Sequence, residues 1–501
     1  MSIRWRSQLA EIYIKWANIL TLFKGEGVKT LRHIKESQGK DSLAAFSKTR
    51  PPNGVSIEYI YFRLFDIFQI ENVDSLLSGL KKLFPNFNDP FFRGDFYERF
   101  IQNATGITGG EWLNIGYICR DRKGRFWGDR FRELKNLPSH VDYIQIELHK
   151  VMPSVFALTY DIYLEDSATQ KLDELQNSYY TPEILFRKLI PYGKLGGGYS
   201  TNPAENIMRQ EILNWLSNLR SEVEKCLEQY LAGDFLRDKS VKNSRLPSIE
   251  VYGFKGIPET KTALRNWILK SSRWLESLGF HILHINSYTD GKLIFTPRWQ
   301  QEKDNNEPSS RLIVMWDLYL KSINCEMYGN DEKFAVAHNT QEDFLVLILP
   351  TLVFFEMLAR FQGKFEKIRR NVFETIKPTL FPVFHFGKYI KLSDTLLQAS
   401  ALYDRISKDF QIEAKHISTQ LRGISGFTEI GHVRKNKYRK LDKELFGGVE
   451  FRVNLLKEHV DFAMNWLSQY LALRNLSVTF LLALVAGIAA IVSLLLAFKK
   501  P

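Results

Sequence analysis

The sequence predicts an α+β protein: antiparallel or mixed sheet with helices, then a helical bundle or stalk, then one C-terminal transmembrane helix. Three observations predict it. Short alternating apolar segments bounded by turn residues crowd the middle of the chain. From Gln341 onward apolar residues recur at helical spacing. Leu476 to Phe498 is 23 residues long and carries no charge, and ~1.5 Å per residue takes such a helix across a ~30 Å hydrocarbon core.

A chain of 501 residues is too long for one compact core. Its patterning divides it into a mainly helical N-terminal region (1–104), an α/β sheet region (105–335), a helical bundle or stalk (336–475) and the anchor (476–498). Apolar residues make up 45%, which excludes a disordered protein. The net charge of +12 favours anionic partners. With an apolar span present and no nucleic-acid module, the expected partner is the lipid bilayer with its anionic lipids, and nucleic acid is not expected. Cys119, Cys226 and Cys325 are widely spaced, which argues against a disulfide framework and for a reducing compartment.

In chain order, Ile3 to Phe23 has the spacing of an amphipathic helix, with Trp5, Leu9, Ile12, Trp16 and Phe23 on its stripe. It suits either a membrane surface or the protein's own core. Pro51-Pro52-Asn53-Gly54 breaks the chain, and helical and mixed segments run on to Ala104. Strands are expected at Trp112–Cys119, Val141–Leu148 and Val155–Leu164, with a hairpin turn at Asp121–Arg125. A long helix follows from Pro203 to Leu231. Then come strand Ser248–Phe254, helix Pro258–Leu278, strand Phe280–Ile285, a hairpin over Tyr288–Pro297 turning at Asp290-Gly291, and strand Arg311–Leu320. Phe344 to Phe355 is apolar but too short to span, and Pro350 interrupts it, so a buried core helix or an interfacial segment is expected.

Two later runs step by three and four: Leu392, Leu396, Ala399, Tyr403, Ile406 and Phe410, then Val453, Leu456, Val460, Ala463, Leu467 and Tyr470. They are the seam of a coiled coil or of an antiparallel bundle. In the anchor, Ala483, Gly487 and Ala490 share one face, as in spans that pair closely and equally in ordinary membrane composition. The N-terminus, Met1-Ser2-Ile3-Arg4-Trp5-Arg6, has no signal-peptide pattern. The expected topology is therefore a single-pass membrane protein with its N-terminal bulk in the cytosol.

Sites are few. Gly196, Gly197 and Gly198 precede a helix start at Asn202–Glu205, and a glycine loop at a helix N-terminus can cradle an anion. No Gly-Lys-Ser/Thr follows it, so a flexible turn competes with a phosphate site. Arg434, Lys435, Lys437, Arg439, Lys440 and Lys443 put six cations into ten residues near the span. They suit a membrane surface or a solvated loop. His281 and His284 would fall on opposite faces of a strand and cannot share a metal, so no metal site is expected. No catalytic motif appears.

The order of parts over the last ~150 residues (sheet domain, long helices, terminal membrane helix) loosely resembles the layout of CorA-type ion channels. One span replaces their two, and no Gly-Met-Asn follows it, so no residue roles carry over. The expected function is a membrane-anchored, cytosol-facing scaffold, sensor or adaptor. Two alternatives stand beside it. One is a membrane-proximal enzyme on a phosphorylated or lipid-linked substrate, with its site near Gly196–Gly198 or among the carboxylates of the central sheet. The other is an oligomeric membrane effector or pore, self-associating through the helical stalk and the span.

Overall fold

The structure, a computed structural model, describes residues 51–84, 112–121, 131–178, 180, 183–186, 199–202, 204–238, 246–258, 260–278, 280, 287–297, 310–329, 331–375, 386–430 and 439–497. The strands are β1 (Ser56–Gln69), β2 (Trp112–Cys119), β3 (Phe131–Glu133), β4 (Val141–Met152), β5 (Val155–Leu164), β6 (Glu183–Phe186), β7 (Tyr199–Asn202), β8 (Ser248–Lys255), β9 (Tyr288–Thr289), β10 (Leu293–Pro297), β11 (Ser310–Met315) and β12 (Thr428–Glu429). The helices are α1 (Val73–Leu83), α2 (Asp166–Asn177), α3 (Ala204–Glu228), α4 (Asp234–Arg237), α5 (Lys261–Lys270), α6 (Ser272–Ser277), α7 (Trp316–Leu320), α8 (Glu332–Thr340), α9 (Val346–Thr375), α10 (Phe386–Leu421) and α11 (Leu441–Ala497). The fold is α+β.

Ten strands form one mixed sheet in the order β12-β9-β10-β11-β8-β1-β5-β4-β2-β3, while β6 and β7 pair as a separate hairpin. Most neighbours are antiparallel; β11 with β8 and β2 with β3 are parallel. Strands β2 and β3 pair in parallel, and the expected hairpin turn at Asp121–Arg125 with its return at Phe126-Trp127 falls, save Asp121, in residues 122–130, outside the described set.

Strand β1 occupies the centre of the sheet although it falls in the segment whose sequence reads as mainly helical. The reason is burial on both faces. Covered strands lose the alternation that marks a half-exposed strand, and Tyr59 to Phe65 are all buried. Strand β5 is buried at all ten positions for the same reason.

One face of the sheet lies under α3 and α6, where Trp215 meets Tyr59 at 6.4 Å and Trp274 meets Phe254 at 5.7 Å. The other lies under α8, α9 and α10: Phe334 approaches Tyr163 at 6.3 Å, and Ser154 donates to Asp409 of α10. The expected strand Arg311–Leu320 stops at Met315 and turns into α7. There the Trp316 ring packs over Gly253, where any Cβ would come within 2.5 Å of it, and Asp317 accepts the Gly256 N–H at 2.8 Å. The expected helix Pro258–Leu278 starts at Lys261, with the Thr260 hydroxyl capping the Ala263 N–H, and breaks into α5 and α6. Strand Phe280–Ile285, helix Ile3–Phe23 and both histidines, His281 and His284, fall outside the described residues save Phe280.

Helices α9, α10 and α11 pack on one another through the periodic residues read from the sequence. Leu396, Tyr403, Ile406 and Phe410 are buried, as are Val453, Leu456 and Val460. Phe410 meets Phe354 at 5.5 Å and Phe446 at 6.0 Å. The helical stretch Glu332–Lys367 is long and apolar enough to cross a membrane, but 61% of its most apolar window is buried within the protein. Ile348, Leu349, Leu352, Val353 and Phe354 lie in the core, so this segment serves as a core helix. Helix α11 runs on unbroken for 57 residues, and Leu482, Val485, Ile488 and Ile491 near its end are each more than half exposed.

Candidate functional site

Strand β4 alternates Tyr143, Gln145, Glu147 and His149 with Ile144, Ile146 and Leu148. The period of two sends the first set to the face beneath α8 and α9. Cross-strand register then lines up chemistry. Gln145 stands opposite Asp161, and Asp161 opposite Arg63. Glu147 stands opposite Thr159 on one side and Asn114 on the other. Tyr143, Tyr163 and Tyr61 form an adjacent aromatic row, stacked at 4.3 and 5.4 Å.

Polar groups buried this deeply persist only when partnered. The Arg63 guanidinium forks onto Asp161, with Nε to Oδ1 and Nη2 to Oδ2 both at 2.6 Å, and Nη2 also reaches Glu147 Oε2 at 3.5 Å. Glu147 Oε2 accepts from His149 Nε2 at 3.1 Å. Its Oε1 accepts from Gln145 Nε2 at 2.8 Å and from Gln341 Nε2, which descends from the covering helix. Arg63 and Asp161 are fully buried, and Glu147 is 2% exposed.

Burial pushes the Glu147 carboxyl up, but the hydrogen bond from His149 and the Arg63 charge outweigh it and hold the group below the usual carboxylate range. Asp161 goes the other way, because its own burial outweighs the attraction of Arg63.

Above this network the helix is not regular. Gln341–Leu345 forms a π turn between α8 and α9. A π turn holds one residue more than an α turn, about 100° of helix phase. That phase shift lets Gln341 face Glu147 while Phe344 and Leu345 still reach the core, Phe344 lying 5.1 Å from Phe295 and 4.8 Å from Phe427. Between roof and sheet lies a cavity of about 220 Å³. Gln145, Glu147, Gln341, Asn114, Tyr117 and Phe334 line its body, with His338 and Glu342 nearer the rim. His338 Nε2 lies 3.3 Å from Glu342 Oε1, one helical turn on.

The opposite face holds a second buried cluster of charge. Glu250 joins Arg220 Nη1 at 2.5 Å and Arg311 Nε at 3.1 Å, and it accepts from the Tyr252 hydroxyl at 2.9 Å. All three charged side chains are under 5% exposed. A third carboxylate, Asp66, accepts backbone N–H groups of Ile67, Gly233 and Phe235 at 2.7–2.9 Å. Burial outweighs those bonds and pushes its pKa up to about 6.

Of the residues singled out from the sequence, Gly196, Gly197 and Gly198 lie outside the described residues, in the connection between β6 and β7. Asn202 ends β7, and α3 starts at Ala204. Arg434, Lys435 and Lys437 also lie outside. Arg439, Lys440 and Lys443 are exposed at the start of α11, Arg439 lying 3.7 Å from Glu444. Cys119 and Cys226 are buried free thiols, and Cys325 is half-buried. Among the described residues no group of His, Cys, Asp and Glu has a metal-holding arrangement.

The β4 row was open to sequence reading, since Gln145, Glu147 and His149 alternate with isoleucine and leucine. Arg63, Asp161 and Gln341 come from distant segments and only register and packing bring them to it. Comparison with protein-family models, with curated proteins and with solved structures finds no match for the chain.

Proposed function

We propose that this protein is a membrane-attached sensor, reading a small polar ligand in the Glu147 cavity and passing the event to its long helices. One observation carries the reading: the cavity roof is the π turn, and that turn opens directly into α9, which packs along α10 and α11. Its Gln341 side chain is clamped to Glu147. A ligand that competes for that amide changes the register in which α9 leaves the roof, because π turns and α turns differ by one residue of phase. The apolar end of α11, exposed at Leu482, Val485, Ile488 and Ile491, is the proposed membrane anchor, with the bulk of the chain on the cytosolic side. A helical stalk of α9–α11 and pairing of two chains along α11 belong to the same proposal.

The test is amide hydrogen exchange on the full chain in membranes, screened against small polar metabolites. A ligand that slows exchange in the cavity strands and also changes it along α9 and α11 supports the sensor. Ligands that protect the cavity strands alone, or no ligand at all, overturn it. Separately, removing Leu476–Pro501 is expected to move the protein into the soluble fraction, and a truncated chain that still resists a carbonate wash from membranes refutes the anchor.

A further inference from the structure

We infer that the ligand of the Glu147 cavity is a small organic cation bearing N–H donors, an ammonium or guanidinium head on a short apolar body. The inference rests on the sensor reading of this cavity and adds the chemistry of what enters. Three features of the site select it.

The first is a surplus of acceptors. Gln145 and Gln341 both turn their amide NH2 groups to Glu147, so both carbonyl oxygens face away from it. Each of those oxygens lies near the Tyr163 hydroxyl, at 3.5 and 3.4 Å. A phenol has one proton to donate, so it serves one carbonyl at a time and at long range. The other is left to a donor from the cavity. Glu342 adds a half-exposed carboxylate at the rim, where its partner His338 sits 3.3 Å away.

The second is sign. In the network behind the cavity floor one guanidinium, Arg63, faces two carboxylates, Asp161 and Glu147. Phe334, a wall of this cavity, is also a wall of a neighbouring hollow of about 580 Å³. That hollow is lined by Glu58, Asp142, Glu165, Asp166 and Asp331 with Lys333, while Lys255 pairs with Glu58 and Arg120 with Glu165. Of these charges only Asp161, Glu147 and Arg63 are buried and weakly screened, and that carboxylate excess favours a cation over an anion.

The third is the wall itself. Tyr117 and Phe334 offer aromatic faces and Val346 an aliphatic one, which suits the stem of an amine and adds cation–π attraction for its head. The volume of about 220 Å³ suits a small molecule.

Calorimetric titration of the full chain in detergent micelles tests this with three short-chain probes of similar size: butylammonium, neutral butyramide and butyrate. Butylammonium is expected to bind most tightly, and Glu342→Gln, a change at a half-exposed rim position, is expected to weaken it roughly two- to fivefold. Butyramide or butyrate binding as tightly as the amine, or Glu342→Gln leaving amine affinity unchanged, overturns the cationic ligand while the cavity remains a binding site. Binding of none of the three overturns the inference and the reading of the cavity as the sensor's input together.

Discussion

The two faces of the central sheet each bury a cluster of charge, and the clusters are built on opposite plans. Beneath α3, Glu250 is shared by Arg220 and Arg311, one carboxylate for two guanidiniums. Beneath α8 and α9, Arg63 is shared by Asp161 and Glu147, one guanidinium for two carboxylates, with two glutamine amides and a histidine completing the shell. The first is held by direct ion pairs and closed off by packing. The second borders a cavity and is finished by a side chain from an irregular helical turn. Buried ion pairs contribute little net stability, yet removing one partner is costly. The difference teaches where function can be accommodated: in the cluster whose last partner sits on a separable element.

The sharpest way to break the comparison is at Glu250. Glu250→Gln takes the shared carboxylate from two buried guanidiniums and is expected to destabilise by about 3–5 kcal/mol, measured by denaturant unfolding of the full chain in detergent. A loss under ~1 kcal/mol would mean that other groups neutralise the cluster and that its sign is not what distinguishes the faces.

Asp66 sharpens the comparison because backbone N–H groups hold its buried carboxylate, with the charge of Arg360 acting on it as well. Its pKa of about 6 in the folded protein lies above the ordinary 3.8. A raised folded pKa contributes stability that is fully present below the unfolded pKa and lost as pH rises through the folded one. The stability of the protein relative to Asp66→Asn should therefore fall as pH rises from about 4 to above 6, by at most about 3 kcal/mol. A difference between the two proteins that stays flat over that window refutes the assignment.

The same site depends on Gly233. A Cβ there would collide with the Ile67 carbonyl oxygen and the Asp66 carboxyl carbon, so Gly233→Ala is expected to cost about 1–3 kcal/mol in thermal or denaturant unfolding. A neutral outcome would show that the α4 segment can retreat from Asp66.

The smallest expected effect completes the contrast. Glu147→Gln leaves Arg63 and Asp161 as a matched pair, and His149 can exchange tautomers to accept from the new amide. It should cost only about 1 kcal/mol. A loss as large as that at Glu250 would erase the distinction between a cluster that needs its carboxylate and one that tolerates its removal.

Much of this was legible residue by residue. The alternation in Val141–Leu148 located one strand, the turn-bounded apolar run Val155–Leu164 another, Asp290-Gly291 located a hairpin, and the stepped apolar runs around Tyr403 and Leu456 located packing residues of α10 and α11. Strand β1 was hidden because burial on both faces erases alternation. The end of β11 was hidden because the turn at Trp316 is set by Gly253 and Gly256 on a neighbouring strand. The candidate site was half legible. Glu147 and His149 stand on one face of a readable strand, while nothing local in Arg63 or Gln341 marks them as its partners, since side chains separated by 84 and 194 residues meet only through the fold.

By itself the sequence determined the α+β class, the long helices after Gln341 and the uncharged apolar end of α11. Each of these follows from local periodicity and hydropathy, which need no knowledge of neighbours. Only the tertiary structure decided which strand is central, which buried charges share a partner and that a π turn roofs the Glu147 cavity. Those outcomes depend on cross-strand register and helix phase. A shift of one residue reverses a strand's faces or turns a helix by about 100°, and no single segment contains the information that excludes the shifted alternative.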